Sequence, residues 1–193
     1  MNRDFTNLNI YLNRLMDDIY PQPTDPGHTK WATDVFNKWF KNESSIKNIL
    51  DVGCGDSAFM KPMFDSIGIK YTGISLRTDN PDIINMDFNF LEFDDNSFDC
   101  IFSRHSLEHS PMPLIALMEW FRVSNHLLCL ILPNPKEFGW VGKNHYSVMS
   151  PNQVEFLLDR AGWKIIWTDF SEGAELRYMC EKSRKSNYER VTT

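Results

Sequence analysis

An acid and two glycines follow one another in the first third of the chain. Residues 46–52 are rich in Ile, Leu and Val; Asp51 lies near the end of this run, and Gly53 and Gly55 come directly after it. The pattern predicts a strand, a tight turn and then a helix that begins near Ser57. Glycine lets a ligand approach the backbone closely, and an acid at the carboxyl end of a parallel strand usually serves a ligand or a backbone cap. The turn is therefore a candidate ligand site, with an ordinary tight turn as the alternative.

A second group of candidate residues contains His105 and His109. Residues 105–109 spell H-x-x-E-H, which is a zinc signature when it lies on a helix and has a further acidic ligand downstream. Here the segment follows a predicted strand directly and precedes Pro111 and Pro113, so we expect no metal site. A histidine can instead act as a general base that takes a proton from a hydroxyl group. A histidine that only packs or makes a hydrogen bond is the alternative at either position.

The elements that must position these residues alternate along the chain. Strands are predicted at 46–52, 70–75, 83–85, 98–103, 127–132, 163–170 and 175–182. Apolar residues at helical spacing predict helices at about 5–19, 31–40, 57–66, 114–121 and 151–161, with a proline-rich loop at 20–27. Such alternation indicates an α/β fold with a doubly wound, mostly parallel seven-stranded sheet. Because no helix separates the last two strands, we expect the final strand to be antiparallel.

Composition and charge restrict the class of protein. The 193 residues carry a formal net charge of −6, which gives no general attraction to the phosphates of a nucleic acid. The four cysteines are widely spaced and include no C-x-x-C, which indicates reduced thiols. The first residues lack the apolar core of a signal peptide, and no apolar run approaches the roughly 20 residues that cross a bilayer. We therefore expect a single-domain cytoplasmic protein that binds neither nucleic acid nor membrane.

Several segments together resemble the class I methyltransferases that depend on S-adenosylmethionine (SAM). Asp51-Val52-Gly53-Cys54-Gly55 is similar to the first motif of that family. Further matching segments follow in the family's order and spacing at 85–88, 98–103, 107–109, 119–123 and 130–133. The resemblance implies a Rossmann-like methyltransferase fold and favours the small-molecule type with D-x-G-x-G and L-E-H segments. It divides the chain into a helical extension or lid at 1–45, a SAM-binding domain at 46–182 and a polar tail at 183–193.

The same resemblance implies where SAM binds. Gly53 and Gly55 would pass close to its methionine part, Asp51 would lie near its ammonium group, and Asp87 would accept a hydrogen bond from its adenine amino group. Phe88 would pack beside the adenine ring. A turn cap is the alternative role for Asp87. The implied cofactor-binding residues are Asp51, Gly53, Cys54, Gly55, Ser75, Asp87, Phe88, Ser103 and His105.

The acceptor is expected on the other side of the cleft. Residues 138–147 lie where such enzymes often form the acceptor pocket, and aromatic residues there suit an apolar or ring-shaped molecule. Packing of the loop is the alternative role for its aromatic residues, and packing on the sheet edge is the alternative role for the extension. The implied acceptor-binding residues are His28, Trp31, Trp140, His145 and Tyr146, and the candidate general bases are His105, His109 and His145.

A departure from the family concerns one of the implied cofactor-binding positions. An acid usually follows the second strand and holds both ribose hydroxyls, but this chain has Ser75 there. A neutral hydroxyl is the weaker partner because charge-assisted hydrogen bonds are about twice as strong. Asp79 is the acid that could replace it. Without a replacement, we expect weaker SAM binding or a domain that has lost activity.

These observations predict a SAM-dependent enzyme that methylates an oxygen or nitrogen of a small-molecule acceptor, with oxygen favoured by the histidines. Methylation of a protein or a polysaccharide is an alternative within the same class. A catalytically silent SAM-binding or interaction module is the alternative from a different class. The sequence identifies neither the acceptor nor the oligomeric state.

Overall fold

Helices and strands form close to where the apolar pattern predicts them. A computed structural model describes residues 26–138, 144–170, 173 and 175–183, without the side chains of 26–31, 137 and 138. The strands are β1 (Asn48–Val52), β2 (Lys70–Ser75), β3 (Ile83–Asn85), β4 (Phe98–Arg104), β5 (Ser124–Pro133), β6 (Trp163–Asp169) and β7 (Glu175–Lys182). The helices are α1 (Pro26–Trp39), α2 (Lys61–Ser66), α3 (Pro113–Val123), α4 (Pro135–Phe138) and α5 (Pro151–Ala161), with a short 3₁₀ helix at Leu107–His109.

The seven strands form one sheet in the order β3-β2-β1-β4-β5-β7-β6. The first five strands in this order pair in parallel, whereas β7 is antiparallel to both β5 and β6. No helix lies between β6 and β7, so the chain turns back and inserts β7 beside β5. The predicted α/β class, the doubly wound sheet and the antiparallel last strand are confirmed.

The core has two layers because side chains alternate between the faces of the sheet. Leu50 and Val52 of β1 pack in the layer that contains Trp120 of α3, which is fully buried. Ile49 of the same strand packs in the opposite layer, against residues of α1 and α2 that include Phe64. The sheet is thus covered on both faces.

Two helices begin at different residues from those predicted. Helix α1 begins at Pro26, inside the predicted loop, because proline is tolerated in the first turn of a helix. Helix α2 begins at Lys61 rather than Ser57, because Ala58 has a φ of 42° and this left-handed conformation cannot be part of a right-handed helix. The glycine turn is therefore followed by irregular chain and not by a helix N-terminus.

The described part of the predicted extension packs on the sheet. Phe36 and Phe40 are buried against Phe64 of α2, and the ring of Trp39 lies 5.5 Å from that of Trp167 in β6. The predicted helix at 5–19, the side chains of the predicted acceptor contacts in α1, Trp140 and the tail beyond residue 183 lie outside the described residues. The division into extension, domain and tail, and the role of the extension as a lid, stay predictions.

Two findings concern the expected environment of the protein. All four cysteines are free thiols. Among the described helices, none combines the length and the hydrophobicity that crossing a bilayer requires.

Candidate functional site at the carboxyl edge of the sheet

The strands that carry the candidate residues end at the same level. Val52 of β1 pairs with Ile74 of β2 on one side and with Ser103 of β4 on the other. In a parallel sheet this register brings the segments that follow the strands to one edge. The glycine turn after β1 and the histidine-containing segment after β4 therefore lie next to each other.

Strand β2 and the chain after β4 both fix the conformation of the glycine turn. Its first two N–H groups, those of Gly53 and Cys54, donate to the Ile74 carbonyl over 2.9 and 3.0 Å. Gly53 and Gly55 have φ angles of 75° and 63°, which favour glycine. A Cβ atom on Gly53 would collide with the side chain of Ser106. Gly53 is thus required by the conformation of the turn and by the close approach of the chain after β4.

Asp51 lies buried beneath this turn and is bonded to a tyrosine. The Tyr71 hydroxyl donates to Asp51 Oδ2 over 2.7 Å. Burial raises the pKa of Asp51 to about 7, although the Tyr71 hydrogen bond and the charge of Arg104 oppose the rise. Burial and the nearby Asp51 raise the pKa of the Cys54 thiol to about 12, so this thiol stays protonated near neutral pH. The sequence reasoning did not identify Tyr71.

Asp87 closes the turn that follows β3. Its Oδ1 atom accepts hydrogen bonds from the Asn89 backbone N–H over 2.9 Å and from the Asn89 side-chain amide over 2.7 Å. The Phe88 ring packs edge-on against Trp120, with 5.8 Å between the ring centroids. Asp87 therefore makes the turn cap that was the alternative to its cofactor role, although a carboxylate has a second oxygen that can accept from a ligand.

The two serines among the predicted cofactor residues have different environments. Ser75 lies at the end of β2, and its hydroxyl donates only a long bond of 3.4 Å to the Arg77 carbonyl. Ser103 is fully buried in β4, and within the described chain its hydroxyl has no hydrogen-bond partner. A buried hydroxyl of this kind is a candidate for contact with a ligand.

A buried group of charges ties β7 to the end of β4. Glu175 accepts from Arg177 Nε over 3.1 Å and from His105 Nε2 over 3.0 Å, and it forms an ion pair with Arg104 at 3.4 Å. Burial alone would raise the pKa of Glu175, but its bond to His105 and the nearby charges of Arg104 and Arg177 hold the pKa below its usual value. His105 has a φ of 49° and is already engaged with Glu175. It is therefore placed to position this edge of the sheet.

Glu108, one turn after His105, has no comparable partners. Its side chain is 1% exposed, and neither carboxyl oxygen makes a hydrogen bond within the described part of the chain. The nearest histidine nitrogen, His105 Nδ1, lies 3.6 Å from Oε1, beyond hydrogen-bonding distance. Burial raises the pKa of Glu108 to about 8.

His109 and His145 meet beside Glu108. Their rings lie 4.7 Å apart at an interplanar angle of 67°. His109 Nδ1 lies 3.1 Å from the Asn144 carbonyl, which only accepts, so Nδ1 carries the proton and Nε2 keeps a lone pair. Burial, followed by the proximity of His145, lowers the pKa of His109 to about 4. His109 is thus a neutral acceptor near pH 7 and a weaker base than an ordinary histidine.

The structure brings most of the candidate residues to one edge, in two neighbouring groups. The first contains Asp51, Cys54 and the glycine turn, and the second contains the three candidate histidines. Sequence reasoning missed the residues that hold these groups in place. A signal for two of them was present, because Glu175 and Arg177 are charged residues two positions apart in the buried part of β7, residues 175–180. The others are Tyr71, Arg104 and Ser106.

Comparison with known proteins agrees with this fold. The sequence profile of a family described as "Methyltransferase domain" matches residues 50–126, the part of the chain from the end of β1 to the start of β5. No curated protein sequence matches the chain.

Three solved structures illustrate the shared fold. A SAM-dependent methyltransferase from Aquifex aeolicus has a TM-score of 0.63 at 18% identity, over 83% of this chain and 100% of its own. Magnesium protoporphyrin IX methyltransferase from Synechocystis PCC 6803, solved with bound SAH, has a TM-score of 0.63 at 14% identity, over 93% and 100%. The [4+2]-cyclase SpnF has a TM-score of 0.65 at 17% identity, over 79% and 80%. At these identities the likeness establishes the fold alone.

The contact between Gly53 and Ser106 predicts a difference between two glycine substitutions. Gly53→Ala and Gly68→Ala both place alanine at a φ near 75°, but only the first adds a collision, because nothing lies within 4 Å of a Cβ at Gly68. We expect Gly68→Ala to lower the free energy of unfolding by about 1 to 2 kcal/mol and Gly53→Ala by roughly 1 to 3 kcal/mol more. Urea denaturation measures both. Ser106→Gly should recover part of the loss in Gly53→Ala, and equal losses in the two single variants would contradict the contact.

The raised pKa of Asp51 predicts a pH-dependent stability. The unfolded chain releases this proton near pH 4 and the folded protein near pH 7, so between these values the folded state holds one more proton. The contribution of Asp51 to the free energy of unfolding should therefore fall as pH rises from 4 to 7, by an amount on the order of a few kcal/mol. Asp51→Asn keeps an acceptor for Tyr71 but does not titrate. Urea denaturation across this range should show wild type losing stability relative to the variant, and parallel curves would contradict the assignment.

Proposed function

We propose that the chain, which matches a methyltransferase domain over residues 50–126, is a class I SAM-dependent enzyme that methylates an oxygen of a small-molecule acceptor. One observation carries the proposal. The cofactor motif after β1 and a cluster of the buried Glu108 with the half-buried His109 and His145 lie at the same edge of the sheet, where ligands bind in this class of fold. Nitrogen remains the second choice of acceptor atom.

The residues on the β1 side fit the polar groups of SAM. Asp51 offers a carboxylate for the ammonium group, and the turn through Gly53 and Gly55 presents backbone without side chains. Asp87 keeps one carboxylate oxygen beyond its bonds to Asn89, which suits the adenine amino group. The remaining cofactor contacts of the proposal are Cys54, Ser75, Phe88, Ser103 and His105. When bound, SAM supplies an activated methyl group.

The residues after β4 would hold the acceptor. His109 Nε2 has a lone pair that can accept a hydrogen bond from an acceptor hydroxyl and so fix the orientation of its oxygen. Because the pKa of His109 is lowered to about 4, complete proton transfer to this nitrogen is unfavourable at neutral pH. In the proposal, His145 is the better candidate for the base, and Tyr146, which is 36% exposed, lies at the rim.

The other predicted contacts complete the proposal. In the proposal, His28, Trp31 and Trp140 are further contacts of the acceptor. A cytoplasmic location agrees with the four free cysteines. The net charge of −6 argues against a nucleic-acid substrate.

A catalytically silent SAM-binding or interaction module is the second candidate. Two observations favour it: Ser75 stands where the family usually has a ribose-binding acid, and Asp87 already caps its own turn. Such a module would bind SAM without releasing S-adenosylhomocysteine (SAH) when acceptors are supplied. Methylation of a protein or polysaccharide, the third candidate, would release SAH only with a macromolecular acceptor.

The cofactor site is tested by calorimetric titration with SAM and SAH. Asp87→Asn keeps the oxygen that caps the turn but offers the adenine amino group an amide instead of a carboxylate, so we expect SAM binding to weaken by about 1 to 3 kcal/mol. Asp82→Ala, which removes an exposed acid before β3, is the matched control and should leave binding unchanged. Unchanged affinity in Asp87→Asn, or an equal loss in Asp82→Ala, would refute this contact.

The reaction is tested by measuring SAH release in the presence of small hydroxyl and amine acceptors. We expect turnover with a hydroxyl compound and a decrease of tenfold or more in His145→Ala, with SAM affinity retained because His145 is on the acceptor side. The exposed His126→Ala serves as the control. Binding of SAM with no turnover on any acceptor, small or macromolecular, would favour the silent module.

A further inference from the structure

The group formed by Glu108, His109 and His145 has the donor atoms of a metal site. Each of the three side chains offers one potential ligand atom, and these atoms all lie within 4.8 Å of one another. Two imidazole nitrogens and a carboxylate oxygen form a donor set that suits zinc and related divalent transition metals. Neighbouring ligands of a tetrahedral zinc lie about 3.3 Å apart, as Zn–N distances of about 2.0 to 2.1 Å require, so small side-chain rotations would close the site.

Glu108 gives an independent reason to expect a cation. Its side chain is 1% exposed, and both carboxyl oxygens lack a hydrogen-bond partner in the described structure. An unpaired buried carboxyl group is costly, and buried carboxylates in proteins are normally paired with a charge or bound to a metal. Glu175, at the same edge, accepts hydrogen bonds from Arg177 and His105. Neither of these residues makes a hydrogen bond to Glu108.

His109 makes the second hydrogen bond that metal-binding histidines usually make. Its Nδ1–H donates to the Asn144 backbone carbonyl over 3.1 Å, which fixes the tautomer and leaves Nε2 to act as a ligand. In most histidine ligands, the ring nitrogen that does not bind the metal donates such a bond to a carbonyl or carboxylate. His145 is the next residue after Asn144, and its ligand atom lies within 4.8 Å of that of Glu108.

We propose that Glu108, His109 and His145 bind a divalent transition-metal ion, with zinc as the ion that fits their donor set. This set is not the H-x-x-E-H zinc signature. Residues 107–109 form a 3₁₀ helix rather than an α-helix, and His105, the first residue of the signature, is bonded to Glu175. The third ligand comes instead from His145, 36 positions after His109 in the chain, and for this reason the spacing of the motif did not reveal the site.

The site would have a use in the proposed reaction. Three protein ligands leave a coordination position open, as in catalytic zinc sites, and an oxygen bound there loses its proton more readily. In the metal-bound protein the ion would therefore replace His109 in orienting the acceptor oxygen and His145 in promoting loss of its proton. This use depends on the proposed methyl transfer and favours an acceptor whose hydroxyl can bind a metal. Binding of the metal itself depends only on the three side chains and is testable without SAM or an acceptor.

Calorimetric titration of the metal-free protein with Zn²⁺, in the absence of SAM, tests the site. We expect one ion per chain with wild type, and a loss of affinity of at least tenfold in Glu108→Gln, His109→Ala and His145→Ala. His126→Ala removes an exposed histidine elsewhere, and Cys54→Ser removes the only cysteine that is not buried, so both should retain the binding. Mg²⁺, which prefers oxygen ligands, should give no comparable binding.

A second measurement separates loss of the site from loss of the fold. Glu108→Gln is nearly isosteric and removes an unpartnered carboxyl group, so its thermal midpoint without metal should equal or exceed that of wild type. Zn²⁺ should raise the midpoint of wild type but not that of Glu108→Gln, because only a folded site that binds the ion is stabilised by it. The proposal is overturned if no stoichiometric binding occurs, if the three ligand variants bind as wild type does, or if Cys54→Ser or His126→Ala abolishes binding.

Discussion

The pairing of Glu175 with Arg104, His105 and Arg177 is the interaction on which the candidate site depends. Glu175 and Arg177 are buried in β7, and each would carry a large desolvation cost without the other. The same carboxylate bonds His105, the first residue after β4. Strand β7 thereby holds in place the segment that carries Glu108 and His109. Loss of this carboxylate would leave two buried guanidinium groups without their main partner.

The buried carboxyl groups on the two sides of the site, Asp51 and Glu175, have different partners. On the β1 side, Asp51 is covered by one neutral donor, the Tyr71 hydroxyl, and burial leaves its pKa at about 7. On the β4 side, Glu175 has enough positive neighbours for its pKa to stay below the usual value. Of these two carboxyl groups, Asp51 is therefore the one whose charge can still be changed by a ligand, because a bound cation would favour its ionised form. This contrast supports assigning Asp51 to the ammonium group of a cofactor and Glu175 to the framework.

The sequence predicted the fold well because period-two and helical patterns of apolar residues are local properties. Strands β2, β3 and β7 have the predicted bounds, and the glycine turn and histidine segment lie at the predicted edge. The predicted start of α2 was wrong because the left-handed φ of Ala58 cannot be recognised from the residue types. The partners of the site were missed for a different reason. Tyr71, Arg104 and Glu175 are far apart in sequence from the residues they support, and only the register of β2, β4 and β7 brings them together.

Glu108 is the residue that the framework leaves unexplained. Two carboxyl groups, Glu108 and Glu175, are buried near Arg104 and His105, yet only Glu175 accepts a hydrogen bond from His105 and forms an ion pair with Arg104. A purely structural role for Glu108 would be better served by an apolar residue of similar size, because an unpartnered carboxyl group destabilises the folded state. Its position beside the imidazoles of His109 and His145 supplies a reason for keeping it. A carboxyl group held without donors beside two imidazoles is arranged for a cation, and the stability lost in keeping it there is recovered only when one binds.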